Sequence, residues 1–213
     1  MFKFTSHEIR DLIISFFVIS LCFGILYSGR NFSTLVVYLP MAMVGVGTGF
    51  IFHEIGHKIA SMNYGYWAEY KLWPSGLLIA ILSSFFGFVF AAPGAVYTYG
   101  NFIDEKQNGV ISIAGPLVNI GLAIIFLILS IIVYPMITPA DSLLILLFVT
   151  FSIGFTINSY LAVFNLIPIW NLDGSKVIRW NALIWIITIG IAGIMTYFSM
   201  TIGVEGIIHT LGM

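Results

Sequence analysis

His53 and His57 stand four residues apart in Met41 to Ala60, which reads MAMVGVGTGFIFHEIGHKIA. On a helix this spacing stacks two side chains one turn apart on the same face, so both imidazoles can offer a nitrogen to one metal ion. Glu54 sits beside the first histidine, where its carboxylate can hold or deprotonate a water at the metal without taking a ligand position. A catalytic zinc takes a third protein ligand and leaves its last position for water and substrate, so another part of the chain must supply one more side chain. Packed, hydrogen-bonded core histidines are the alternative. The surroundings weigh against it, because an ionisable group at membrane depth costs about 3 kcal/mol on insertion scales. Here three such groups lie within one apolar run.

The elements that must position these groups follow from composition. Of 213 residues, 60% are hydrophobic and only 8% are charged, whereas about a quarter of a soluble domain is charged. The apolar runs are long enough for helices to cross a hydrocarbon core of about 30 Å, and the alternating pattern of a membrane barrel is absent. The expected fold is an all-α polytopic membrane protein of about five transmembrane helices, with a re-entrant or β-hairpin segment near residues 69–99. The lipid bilayer is thus one partner. A net charge of −1 leaves no basic stripe, which excludes nucleic acid as another. Cys22, the single cysteine, cannot form an internal disulfide and is read as packing. No small-residue cleavage site follows the first apolar run, and no repeat or linker divides the chain, so residues 1–213 read as one membrane-embedded unit.

In order, residues 1–11 form a polar lead-in with His7 on the surface, and a first span runs from about Leu12 to Ser28. The second, about 34–62, carries the HEIGH motif, and Gly45 and Gly49 one turn apart let another backbone approach. Later spans cover about Val110 to Tyr134, Ser142 to Ile167 and Trp180 to Met200. Gly76 to Ala92 is ambiguous, being short for a span and ending in Pro93-Gly94. Charge decides it. If this piece crosses, Lys3, Arg10, Lys58 and Lys71 lie on one side and Arg30, Lys106, Lys176 and Arg179 on the other, with no bias. If it re-enters, every one of them but Arg30 shares a side, which by the positive-inside rule is the cytoplasm.

Re-entry also brings the end of the span from Ser142 to the level of His57, so that Asp173, in Leu-Asp-Gly, can serve as third ligand. Glu69, Asp104, Glu105 and Glu205 are its competitors, and a helix cap is the alternative role for Asp173 itself.

HEIGH at 53–57, taken with Asn165-Leu-Ile-Pro168-Ile-Trp-Asn-Leu172-Asp173-Gly174, resembles the site-2 protease family of intramembrane zinc metalloproteases. That family pairs an HExxH helix with an N-x-x-P-x-x-x-L-D-G segment, here within 165–176, and Gly115-Pro116-Leu117-Val118-Asn119 is similar to its G-P-x-x-N helix opening. The resemblance spans about Gly45 to Lys176. It implies one Zn2+ per chain held by His53, His57 and Asp173, with Glu54 as general base and acid. It also implies that Asn165 holds the substrate or its oxyanion, and that Glu69 to Tyr99 enters the membrane as strands or a loop presenting an unwound substrate. No PDZ-like or CBS-like domain is seen.

The resulting expectation is hydrolysis of peptide bonds in transmembrane protein substrates, with the active site toward the cytoplasm. Pro93 and Gly94 would open a strand edge for the substrate, and Asn119 is expected on the substrate-binding side. Two alternatives remain. One is a membrane HExxH peptidase of another class with a Glu ligand such as Glu69 or Glu205. The other is a non-catalytic membrane metal-binding protein. Oligomeric state and substrate identity are not encoded in any motif.

Overall fold

A computed structural model describes residues 3–100 and 102–212. Five of its helices are long and apolar enough to cross a membrane: α1 (Ser6–Tyr27), α2 (Phe32–Asn63), α4 (Glu105–Val133), α5 (Ser142–Leu166) and α7 (Ala182–Thr201). Three shorter helices, α3 (Pro74–Ser84), α6 (Asp173–Trp180) and α8 (Gly203–Thr210), join them, along with the strands β1 (Trp67–Leu72) and β2 (Gly94–Tyr99). The protein is an all-α polytopic membrane protein with one small sheet.

Local chemistry sets the boundaries. Thr5 and Glu8 close a capping box at the start of α1, and Asp104 and Gln107 do the same for α4, satisfying amides that have no partner in the first turn. Gly29 and Arg30, both with positive φ, turn the chain between α1 and α2. Helix α5 ends just before Ile167, whose extended backbone precedes Pro168, as the clash of a proline ring with a preceding helical residue requires.

Helix α2 lies at the centre and packs against α1, α4 and α5. Its glycines are why it can. A Cβ on Gly49 would lie 2.9 Å from Asn158 Oδ1, and one on Gly45 would lie 2.9 Å from Ile157 Cδ1, so only hydrogen fits between α2 and α5.

The ambiguous segment returns to where it left. Strands β1 and β2 pair antiparallel from Trp67↔Tyr99 to Leu72↔Gly94, and Trp73 N–H donates to the Pro93 carbonyl at 2.7 Å. Residues between the strands form α3 and a loop, so the two ends of the segment are neighbours.

The sequence reading needs two corrections. Residues 1–11 are no simple polar lead-in, because α1 starts at Ser6 and buries both Glu8 and Asp11. Glu8 Oε1 accepts from Tyr70 N at 3.2 Å and Asp11 Oδ2 from Leu72 N at 3.2 Å, while Lys58 Nζ donates to Glu8 Oε2 at 2.5 Å. The outer edge of β1 is therefore closed by two carboxylates of α1 that stand in for a third strand. The second correction is α6, a helix too short to register as a span, which begins at Asp173 and ends before the extended residue Asn181.

Candidate metal centre

Helix α2 presents His53 and His57 on its buried face, 4% and 7% exposed. Their Nε2 atoms are 3.0 Å apart. Asp173 Oδ2 lies 3.4 Å from the first and 3.1 Å from the second. Zn–N and Zn–O bonds of about 2.0–2.1 Å in a tetrahedral arrangement separate neighbouring ligand atoms by about 3.3 Å. The three observed separations bracket that value.

The hydrogen bonds behind the rings show what these nitrogens are for. His57 Nδ1 lies 2.8 Å from the Ile111 carbonyl oxygen, which can only accept, so Nδ1 carries the proton and Nε2 the lone pair. His53 Nδ1 lies 2.6 Å from Asn119 Oδ1, and the same reasoning applies. Two lone pairs and a carboxylate oxygen thus face one another in a buried site, an arrangement that a cation resolves. Space is kept for it: a Cβ on Gly115 would lie 2.5 Å from His57 Nε2 and 2.6 Å from His53 Nε2.

Asp173 reaches the histidines because it opens α6 just after the N-cap Leu172, from where its Oδ2 turns to the ligand pair. A Cβ on Gly174 would run into the Leu166 carbonyl, so glycine lets the start of α6 press against the end of α5. The competing carboxylates are elsewhere. Glu69 accepts from Thr5 and Glu205 from Tyr134, while Asp104 caps α4 and Glu105 is exposed in its first turn.

Glu54 is 7% exposed, and among the described residues its Oε2 has no hydrogen-bond partner. It faces a cavity of about 580 Å³ that His53, His57, Asp173, Asn165 and Lys176 also line. Strand β2 forms one wall, with Gly94 at its start and Pro93 just before it. In an antiparallel pair, residues alternate between bonding the partner strand and pointing away from it. Since Tyr70 and Leu72 direct their N–H groups to α1, their partners Val96 and Gly94 direct theirs away from β1. The backbone of Val96 accordingly meets the Glu54 carboxylate. One sheet edge is closed by α1, and the other borders the cavity.

Two expected residues have distinct placements. Asn165 lines the cavity and donates one amide proton to Leu161 O in its own helix at 2.9 Å. Asn119, expected on the substrate side, lies fully buried behind His53 and is absent from the cavity wall. Its amide is used to hold the imidazole. Sequence reasoning passed over Asn158, Lys176 and the Ile111 carbonyl. An asparagine in the middle of the apolar run SIGFTINSYLAVF was a usable signal, since polar groups at that depth need a partner. A backbone carbonyl gives none.

Fold and site together define a multi-pass membrane metalloprotein with a buried His-His-Asp centre. A protein of Methanocaldococcus jannaschii that bears the name "Putative zinc metalloprotease" is 42% identical over 199 residues, covering 92% of this chain and 97% of its own length. The chain belongs to that zinc metalloprotease family. The buried His53, His57 and Asp173 are the group fit to hold a metal ion. No protein-family model matches the chain. No solved structure matches it either.

Proposed function

We propose that the protein is an intramembrane protease of the site-2 type, hydrolysing peptide bonds within or beside transmembrane segments of other membrane proteins. One observation carries the reading: the buried carboxylate of Glu54, one oxygen unpartnered, shares a cavity with the three-ligand group and a strand edge. A store for metal needs no base in that position.

His53, His57 and Asp173 would hold the zinc, which when bound would supply the Lewis acidity that acidifies water and polarises a carbonyl. Glu54 takes the proton of the attacking water and returns it to the leaving amine as the C–N bond breaks. Asn165, on the cavity wall, can offer its remaining amide proton to charge developing on the carbonyl oxygen. A helical substrate hides its peptide groups in its own hydrogen bonds, so it must open locally. The outward groups of Gly94, Val96 and Thr98 on β2 give the opened segment a strand to pair with, close to Glu54.

The cavity lies toward the end of the bundle where the positive charges gather, which by the positive-inside rule faces the cytoplasm. Water would enter from that side.

The test uses purified protein in detergent or vesicles with a single-span reporter substrate. Glu54→Gln is expected to bind zinc at wild-type stoichiometry and to lose cleavage. Cleavage at the wild-type rate would remove Glu54, and this mechanism, from consideration. Zinc retained at full stoichiometry by Asp173→Ala would favour a different third ligand.

A further inference from the structure

Behind the ligand pair, three helices are joined by two asparagines, both 0% exposed. Asn119 on α4 turns its Oδ1 to His53 Nδ1 at 2.6 Å. Its Nδ2 donates to the Gly49 carbonyl on α2 at 3.0 Å and to Asn158 Oδ1 on α5 at 3.1 Å. The Nδ2 of Asn158 in turn donates to the Gly154 carbonyl at 2.9 Å and to the Gly45 carbonyl at 3.4 Å.

The direction of these bonds matters because an amide can be turned over with little change in shape. With oxygen toward His53, Asn119 makes Nδ1 the donor and leaves the Nε2 lone pair for a cation. Turned over, it would offer N–H to Nδ1, which must then accept. The imidazole proton would move to Nε2, and the ring could not ligate. What decides between the two is the demand on the far side of the amide. Gly49 O takes one Nδ2 proton and Asn158 takes the other. Asn158 cannot turn over, since both groups facing its own Nδ2 are backbone carbonyls that only accept.

We propose that Asn158 is a positioning residue of the zinc site: anchored on the Gly154 and Gly45 carbonyls, it keeps Asn119 oxygen-first toward His53 and so holds His53 in the tautomer that binds the ion. It touches neither metal nor substrate. The inference rests on the zinc site alone and stands whatever bond the enzyme cleaves. It also ties ligand competence to the registry of α2, α4 and α5, since all three contribute members to the chain of bonds.

The experiment is a double-mutant cycle read as zinc affinity of the detergent-solubilised full chain, by competition with a chromophoric chelator. Asn158→Leu, close in size, is expected to weaken zinc binding about 10-fold or more, the range for residues that orient a ligand. A carboxylate at position 119 accepts from His53 whichever way it is turned, so it needs no orienting partner. In the Asn119→Asp background, adding Asn158→Leu is therefore expected to cause no further weakening. An unchanged affinity in Asn158→Leu overturns the proposal. The same loss in both backgrounds overturns it too, because it marks a residue that only packs. Should Asn158→Leu not fold, Asn158→Ala removes the same acceptor without placing a branched side chain beside Gly45, and its outcomes are read the same way.

Discussion

His57 Nδ1 and the carbonyl oxygen of Ile111 are 2.8 Å apart across the α2–α4 interface. The bond has one possible donor, so it fixes which nitrogen of His57 faces Asp173. Without an ion, that nitrogen, its neighbour on His53 and a carboxylate oxygen confront one another. Chelation is therefore expected to destabilise the fold as well as to stop activity. If free zinc stands a thousandfold above its dissociation constant, linkage alone amounts to about 4 kcal/mol. Thermal unfolding of the wild type should shift down on adding a strong chelator and recover on restoring zinc. Asp173→Ala should show a much smaller shift, and equal shifts in the two proteins would separate the effect from this site.

Gly115 is the residue whose hydrogen keeps the site open. Gly115→Ala would set a methyl group 2.5 Å from His57 Nε2 and 2.6 Å from His53 Nε2, closer than real Cβ contacts come. The substitution is otherwise favourable in a helix interior by roughly 0.5–1 kcal/mol. The expected result is a helical, folded protein with its zinc lost or bound at least about 10-fold more weakly. Circular dichroism and metal analysis on one preparation check both halves; full zinc content would show that α4 can shift to make room.

Legibility in the sequence followed the kind of group involved. His53, Glu54 and His57 were readable because side-chain type and helical spacing carry their geometry. Asp173 was readable because charge placement fixed the level at which two distant segments meet. Gly45 and Gly49 announced a close approach, and the return of the segment between β1 and β2 was implied by the same charges. What stayed hidden depends on partners with no sequence signature. Glu8 and Asp11 passed as part of a polar lead-in because the groups they satisfy are backbone amides of Tyr70 and Leu72. The eight residues of α6 are fewer than a span needs, and they merge with the polar stretch before Trp180. Asn119 was singled out by motif, but only coordinates could show that its amide faces the back of an imidazole.

Glu8 is expected to be a stability residue. It is 1% exposed, pairs with Lys58 at 2.5 Å and caps Tyr70 N. Removing one partner of a buried pair costs about 3–5 kcal/mol, more than the pair itself contributes, because the remaining charge loses its counter-charge. Glu8→Ala should lower the unfolding free energy by that amount. Replacing Glu8 by Gln and Lys58 by Met together should recover part of the loss. A change below about 1 kcal/mol in Glu8→Ala would show that Lys58 is held without the carboxylate, as by the Phe4 and Trp67 rings beside its Nζ. Because Lys58 follows the ligand His57, zinc content should be measured alongside.

The sheet edge gives the sharpest test of how substrate is held. Val96 pairs with Tyr70 in a position where neither N–H bonds across the sheet, so its N–H points away from β1 and toward the cavity. Val96→Pro removes that donor without breaking a β1–β2 bond, and proline is tolerated on an edge where its missing N–H faces outward. The side chain of Val96 is not itself a ligand, which makes Val96→Ala the matched control. If a substrate segment docks as an added strand, Val96→Pro should bind zinc as the wild type does yet cleave a single-span reporter at least about 10-fold less efficiently with KM raised, whereas a loss confined to kcat would mark only the lost backbone contact to Glu54. Val96→Ala should stay within about twofold. A proline variant that cleaves normally would mean that substrate reaches Glu54 without pairing to β2, and the closed edge of β1 would then serve the fold alone.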